Sequence, residues 1–175
     1  KLSIIVPLLL VLLLSYFHYS DTAIGEIARL KQFDLIQQTD KPVVSPDIGV
    51  LTIDEQAIEK YGQWPWSREV IGDLVWNLRE AGAGIIVIPI LFSEEDRLGG
   101  DDNFVSALPN NGVVIAQVGS TQVNKNGVPR GVAKIGNPIP FLFEWEGMLG
   151  PIPFLGERAD GVGVLNTVPE IDGVV

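Results

Sequence analysis

The stretch Ile48-Gly49-Val50-Leu51-Thr52-Ile53-Asp54-Glu55 opens the segment that decides the fold, residues 48–96. Its first six residues are mostly apolar and rich in β-branched side chains, which predicts a buried strand that ends in two carboxylates. Residues 84–88, Gly-Ile-Ile-Val-Ile, repeat the pattern without polar alternation, as in a parallel strand covered on both faces. We therefore expect two parallel strands here.

A helix is predicted between these strands. Ser67 can act as its N-cap, and Gly82 is placed to end it. One helical face is apolar and is formed by Val70, Ile71, Leu74, Val75, Leu78 and Ala81. A strand, a helix and a second parallel strand make a right-handed crossover unit.

The pattern continues after this unit. Asp101 or Asp102 can cap a short helix that carries Phe104, Ala107 and Leu108, and residues 112–118 and 162–165 read as strands. Alternating strands and helices predict an α/β fold with three layers, a mostly parallel sheet flanked by helices. Residues 122–133 contain an Asn126-Gly127 turn signal and predict a surface excursion.

Composition limits the kind of protein. With 175 residues, 46% of them hydrophobic, the chain can bury one core, so we expect one folded domain and a tail. The 22 acidic and 12 basic residues give a net charge of -10, which repels phosphate backbones and argues against a nucleic-acid partner. The absence of cysteine excludes disulfides and thiolate metal sites.

The N-terminus predicts a membrane helix, the anchor, over residues 1–20. Residues 4–14 are apolar apart from Pro7, and the aromatic side chains of residues 16–19 suit a membrane interface. The alternative is a cleavable signal peptide, which needs small residues where this chain has bulky ones. Lys1 before the run and Asp21 and Glu26 after it place the globular part outside the cytoplasm.

A connecting helix is predicted after the anchor, within residues 21–46. Apolar residues recur at three- and four-residue spacing from Ile24 to Leu35, so a helix should run toward Gln38, either as a signal transmitter or as a tether. Pro42 and Pro46 then interrupt it, which places the globular domain at residues 47–175.

The sequence contains little that supports an enzymatic function. The single histidine, His18, lies in the predicted anchor, so no histidine-based triad or zinc site fits the globular part. No nucleophile-elbow, Walker A or dinucleotide-binding motif occurs. A hydrolase that uses Asp54 and Glu94 as a carboxylate pair stays open.

Several short motifs follow one another along the chain: Phe33-Asp34, Asp54-Glu55, Trp64-Pro65-Trp66-Ser67-Arg68, Ile90-Leu91-Phe92-Ser93-Glu94 with Asp96, Asp102 with Phe104 and Ala107-Leu108, Gly163-Val164-Leu165-Asn166, and Asp172-Gly173-Val174-Val175. In this order they resemble the second type of CHASE domain, the cyclase- and histidine-kinase-associated sensory extracellular domains of bacterial membrane receptors. The resemblance covers residues 33–175. The chain departs from the family pattern at Pro89, where an Asp is usual, and lacks the Arg that normally follows the paired valines.

The resemblance implies a sensory input domain of a membrane-bound receptor that relays a stimulus to an intracellular cyclase or kinase. It implies a location in the inner membrane, with the globular domain in the periplasm or extracellular space. We expect a homodimer that responds to a small-molecule or protein stimulus, with no catalytic residues or cofactor in this chain, and a domain that continues past residue 175.

A ligand site is expected at the carboxyl ends of the strands, where open α/β sheets usually bind ligands. The candidates are Asp54, Glu55, Arg68, Ser93, Glu94, Asp96 and Gln117. Oxygen ligands would suit Ca²⁺ or Mg²⁺, with Glu94 and Asp96 as weak metal candidates. The simpler interpretation is a solvated loop and a helix cap, with Arg68 paired to a carboxylate.

Aromatic residues suggest an interface. Trp64 and Trp66 can wedge the helix against the sheet or stack on a ligand. Residues 138–154 are rich in proline and aromatic side chains, and Pro-Ile-Pro-Phe-Leu occurs at 138–142 and again at 151–155. This segment either covers the core or forms a lid or partner surface. The interface candidates are Trp64, Trp66, Phe141, Trp145 and Phe154, and a membrane-anchored structural or assembly subunit is the alternative function.

Overall fold

The computed structural model describes residues 2–19, 22–39, 41, 44–122, 127–128 and 135–167. The chain divides into two units, Lys1–Val50 with Thr167–Val175, and Leu51–Asn166. The elements in chain order are α1 (Leu2–Tyr19), α2 (Ala23–Thr39), α3 (Glu55–Tyr61), α4 (Arg68–Glu80), β1 (Ile86–Ile88), α5 (Asp101–Ala107), β2 (Val113–Ser120), a 3-10 helix (Ile139–Phe141), β3 (Gly147–Leu149), α6 (Pro153–Arg158) and β4 (Gly161–Val164).

The first unit contains α1 and α2. Helix α2 confirms the predicted connecting helix and extends it by a residue at each end. The apolar side chains of residues 4–14 in α1 are exposed, Val11 by 60% for example. In the part of the chain that the structure describes, no helix has both the length and the apolar character needed to cross a membrane.

Strand β2 is the centre of the sheet in the second unit. It pairs in parallel with β1, Ile86 opposite Val113, and in parallel with β4, Val114 opposite Gly161. Its last three residues pair with β3 in the antiparallel sense. The predicted α/β class with a mostly parallel sheet flanked by helices is confirmed.

One face of the parallel strands carries the core. The register places Ile86, Val113 and Ile115 on the same face, and buried residues of α4, α5 and α6 pack there: Ile71, Val75, Phe104, Ala107, Leu108, Leu155 and Ala159. On the opposite face Val87 is 66% exposed, so the expected cover on both faces is wrong at this residue. Helices α4, α5 and α6 all contribute to this one core cluster. A third layer, with helices on the opposite face of the sheet, stays a prediction.

Residues 48–53 are not a strand, which corrects the first prediction. Ile48, Val50 and Leu51 are 72%, 83% and 62% exposed, and no backbone hydrogen bond within the described ranges joins this run to the sheet. An apolar run becomes a strand only where its backbone groups find a partner strand. The predicted crossover unit is therefore wrong, and the parallel connections run instead through α5 and α6.

Helix α4 ends as predicted. Gly82 adopts the positive φ of 95°, and its N–H donates to the Arg79 carbonyl at 3.0 Å. The N–H of Ala83 donates to the Leu78 carbonyl at 2.9 Å, which completes a Schellman motif. The predicted apolar face is buried at Ile71 and Val75 and half-buried at Val70, Leu74 and Leu78, whereas Ala81 is exposed.

Helix α5 begins differently from its prediction. Gly100 is the N-cap, with φ 101°, and Asp101 and Asp102 are the first two helical residues. A Cβ at Gly100 would lie 2.2 Å from the backbone nitrogen of Glu69, so two helix starts meet here without room for a side chain. The apolar residues predicted for this helix, Phe104, Ala107 and Leu108, are fully buried, and Leu108 is its C-cap.

Pro89 ends strand β1, as its missing N–H predicts. The chain then turns tightly, with the N–H of Ile90 donating to the carbonyl of Ile88 at 2.8 Å. The segment that follows this turn, residues 90–98, is named the β1 loop. The chain therefore leaves the sheet directly at the carboxyl end of β1.

The two copies of Pro-Ile-Pro-Phe-Leu have different environments. The first forms the 3-10 helix and leaves Leu142 62% exposed, whereas the second starts α6 and buries Leu155 completely. Asn126 of the predicted turn and the expected strand at Val174-Val175 lie outside the described residues.

Candidate ligand site at the end of strand β1

A pocket of about 540 Å³ lies between the start of α4 and the β1 loop. Its lining consists of Trp64, Pro65, Trp66, Arg68, Ile71 and all nine residues of the loop. The loop follows the carboxyl end of a parallel strand, where α/β sheets usually bind ligands. Four of the predicted ligand residues come together here: Arg68, Ser93, Glu94 and Asp96.

Arg68 is buried, and its guanidinium has partners in the β1 loop and in α5. It is 8% exposed, its guanidinium forms an ion pair with Asp101 and donates to the carbonyl of Glu94, and its Cζ lies 5.2 Å from the centre of the Phe92 ring. A buried guanidinium needs such partners, since an unpaired buried charge is costly. Arg68 therefore joins the start of α4 to the β1 loop and to α5.

Asp96 takes the capping role predicted for Ser67. Ser67 does occupy the N-cap position, but its hydroxyl makes no capping bond. Instead Asp96 Oδ2 accepts the N–H of Arg68 at 2.6 Å, and Oδ1 accepts the N–H of Leu98 at 3.0 Å. The N–H of Asp96 donates to Asp101 Oδ2 at 2.9 Å. Asp96 and Asp101 thus serve the structure of the pocket wall.

Aromatic rings form the other wall. The Trp64 and Trp66 rings are 5.6 Å apart and inclined at 74°, and the Tyr61 ring lies 5.3 Å from that of Trp66. Trp66 Nε1 donates to the carbonyl of Gly62 at 2.7 Å, which fixes the indole. Both tryptophans also pack against the core, so they wedge α4 and line the pocket at once.

Three predicted ligand residues lie elsewhere. Asp54 Oδ1 accepts the N–H of Ala57 at 2.9 Å and caps α3, whose first residue is Glu55, and both acids are exposed. Their assignment rested on a strand at residues 48–53, which does not form. Gln117 is buried in β2, where Oε1 accepts the N–H of Val128 at 3.0 Å. None of the three lines the pocket.

The metal candidates Glu94 and Asp96 both line the pocket. Among the described residues, no group of three or more His, Cys, Asp or Glu is placed to hold a metal ion. The two oxygens of Asp96 already accept backbone N–H groups, and Glu94 is exposed.

Sequence reasoning missed three charged residues of this region. Glu95 and Arg97 line the pocket, and Asp101 is the partner of Arg68 rather than a helix cap. Arg68 and Asp101 are 33 positions apart, so no local pattern marks the pair. The run Glu94-Glu95-Asp96-Arg97 directly after an apolar strand was the available signal for the first two.

The interface candidates outside the pocket lie in and near the proline-aromatic segment. Trp145 packs flat on β2, where a Cβ at Gly119 would lie 2.3 Å from the indole, and the Phe143 ring is 4.8 Å from that of Trp145. Phe154 is 38% exposed on α6, and Phe141 lies in the 3-10 helix.

Comparison with known proteins identifies the family of the chain. No curated protein and no solved structure matches it. The profile of the CHASE2 domain, in contrast, matches residues 6–175, essentially the whole chain. CHASE2 domains are extracytoplasmic sensor domains of signalling receptors, not catalytic domains. This chain belongs to the CHASE2 domain family.

Proposed function

We propose that this chain is the input domain of a bacterial membrane-bound receptor and that the pocket at the end of β1 binds its stimulus, a small molecule. The observation that carries the proposal is the pocket itself, which has preformed walls at the strand end where α/β folds place ligands. The buried and ion-paired Arg68 supports it, since binding sites are usually held by well-packed residues.

The hydrogen bonds of the β1 loop supply a route for the signal. The loop reaches α5 through Asp96 and Asp101, and it reaches the start of α6 because the N–H of Ile152 donates to the carbonyl of Phe92 at 2.8 Å. A ligand that repositions the loop would therefore perturb both helices. It shifts the receptor only as far as its affinity differs between the two arrangements.

The remaining parts of the receptor belong to the same proposal. The N-terminal segment of residues 1–20 would hold the chain at the inner membrane, α2 would connect it to the domain, and a cyclase or kinase module would provide the intracellular output. A homodimer would allow a change in packing to be passed on through α2. The family and the apolar sequence of α1 support this arrangement.

A second candidate is a structural or assembly role through the proline-aromatic segment. Ile139, Leu142 and Phe143 are 51%, 62% and 61% exposed, and clustered exposed apolar residues often mark protein contacts. Sedimentation of the wild type and of a variant in this segment, at several concentrations, tests the assembly role. Association that is lost in a Leu142→Ser/Phe143→Ser variant supports assembly through this segment, and a monomer at all concentrations contradicts it.

The test of the sensor proposal is a thermal-shift screen of the whole chain against small metabolites, with two tryptophan variants. Trp64→Ala removes a pocket wall, whereas Trp76→Ala removes a partly exposed indole of α4 that does not line the pocket. A compound that binds the native state raises Tm. We expect such a rise in the wild type and in Trp76→Ala, which keep the pocket wall, but not in Trp64→Ala, which loses it. A rise that persists in Trp64→Ala, or no rise with any compound, contradicts the proposal.

A further inference from the structure

The aromatic wall of the pocket lies among rings that already hold cations. Lys60 Nζ lies 4.9 Å from the centre of the Tyr61 ring, and the Arg68 guanidinium lies 5.2 Å from that of Phe92. Within the described part of the chain, these two contacts do not involve Trp64 or Trp66, which line the pocket. Tryptophan is the ring that binds cations most strongly, and both pocket tryptophans lie outside these two contacts.

Two glutamates complete this environment. Glu94 and Glu95 line the same pocket and are exposed. The charge of Arg68 is balanced by Asp101, and the carboxylate of Asp96 accepts backbone N–H groups. Asp96 keeps its negative charge when it accepts these bonds, so besides the paired charge of Arg68 the pocket lining carries the charges of Glu94, Glu95, Asp96 and Arg97, in a chain of net charge -10.

We infer that the ligand of this pocket is an organic cation, an amine or quaternary ammonium compound, held between the Trp64 and Trp66 rings and the carboxylates of Glu94 and Glu95. The inference rests on the proposed function, since it names the chemical class for the same site. Two indoles inclined at 74° make the corner of an aromatic cage, which suits a rounded, weakly hydrated cation. The acidic surface of the chain attracts such a ligand and repels an anionic one.

The test compares three probes of nearly the same shape by calorimetry on the whole chain. Choline carries the charge, 3,3-dimethylbutan-1-ol replaces its ammonium by a neutral tert-butyl group, and 3,3-dimethylbutyrate is an anion. We expect choline to bind about tenfold more tightly than the neutral probe, which is the size of one cation–π contact. The anion should bind most weakly.

A pair of isosteric variants tests the glutamates. Glu95→Gln removes a pocket charge, and Glu55→Gln removes the same charge from α3, outside the pocket. Both side chains are exposed, so both variants should fold. We expect a several-fold loss of choline affinity in Glu95→Gln and none in Glu55→Gln, since a nearby opposite charge strengthens binding.

The outcomes separate this inference from the proposed function. Equal or better binding of the neutral or anionic probe overturns the organic-cation inference but leaves a small-molecule pocket. An equal loss in both glutamate variants also overturns it, because the effect then comes from net charge. Absence of binding by every probe, together with a metabolite screen that shifts no melting temperature, overturns both.

Discussion

At the residue scale, the pair Arg68–Asp101 is the contact that shapes the pocket. The Arg68 side chain is 9% exposed and that of Asp101 is 21% exposed, so water hydrates neither charge well. Each charge is stabilised by the other instead. Removing one member leaves the other buried without its partner. The energetic weight of the pair should therefore far exceed that of a surface ion pair.

Replacement of Asp101 tests this weight. We expect Asp101→Asn to lower the free energy of unfolding by about 2 to 3 kcal/mol, through the lost charge of a partly buried pair. Asp102→Asn is the matched control, since its side chain is the exposed neighbour on the same helix, and it should cost less than about 0.5 kcal/mol. Urea unfolding followed by circular dichroism measures both. Equal losses would mean that the pair does not hold the loop.

Asp160 gives the fold a dependence on pH. Desolvation raises the pKa of this exposed carboxyl, but hydrogen bonds from the backbone N–H groups of Asn110, Val113 and Gly112 outweigh that effect. The pKa is therefore lowered from its ordinary value of 3.8. A carboxyl with a lowered folded-state pKa adds stability that is fully present above the ordinary value and is lost as the pH falls through the folded value.

We expect the wild type to be more stable than Asp160→Asn at neutral pH, because the charged oxygens are the better acceptors. The difference should shrink as the pH falls below 3.8, where the wild-type carboxyl becomes protonated. Urea midpoints of both proteins at pH 7 and near pH 3 measure it. A difference that is the same at both pH values would show that the carboxylate charge does not act.

At the element scale, the start of α4 is set by a residue from another segment. Asp96 accepts the first helical N–H, whereas Ser67, at the N-cap position, makes no capping bond. We expect Asp96→Ala to cost at least about 1 kcal/mol and Ser67→Ala less than about 0.5 kcal/mol. The free energies of urea unfolding of the two variants show whether Asp96 or Ser67 caps the helix. A larger cost for Ser67→Ala would restore the cap that the sequence predicts.

Much of this element structure follows from local patterns. The spacing of Ile71 and Val75, the position of Gly82 and the missing N–H of Pro89 each act within a few residues, so the sequence predicts α4 and the end of β1. Strand β2 follows from the apolar, mostly β-branched run of residues 113–116. These predictions succeed because the determining interactions are local.

Other features depend on partners that are distant in sequence. Residues 48–53 have the composition of a strand but no partner strand to pair with. Because composition alone predicts a strand there, it wrongly places Asp54 and Glu55 at a strand end. The Asp101 partner of Arg68 and the capping role of Asp96 arise only when α4, α5 and the β1 loop meet. Of the predicted ligand residues, those in the loop and at Arg68 therefore meet in one pocket, and the others do not.

At the scale of the whole molecule, the account requires the state of the pocket to reach α2. The chain has no native cysteine, so single cysteines introduced along α2 would report disulfide cross-linking between the subunits of the proposed homodimer without interference. We expect the positions that cross-link to change when a stabilising compound is added, because ligand binding shifts the population of packing arrangements. The same pattern with and without the compound would contradict signalling through α2.

The most direct measurement of the central claim is hydrogen exchange of the whole chain with and without a compound selected by the thermal-shift screen. The account predicts slower exchange in peptides that cover residues 64–68 and 90–98, since ligand contact and loop ordering both suppress local opening. Slower exchange confined to residues 139–145, with the pocket peptides unchanged, would contradict it and place recognition in the proline-aromatic segment.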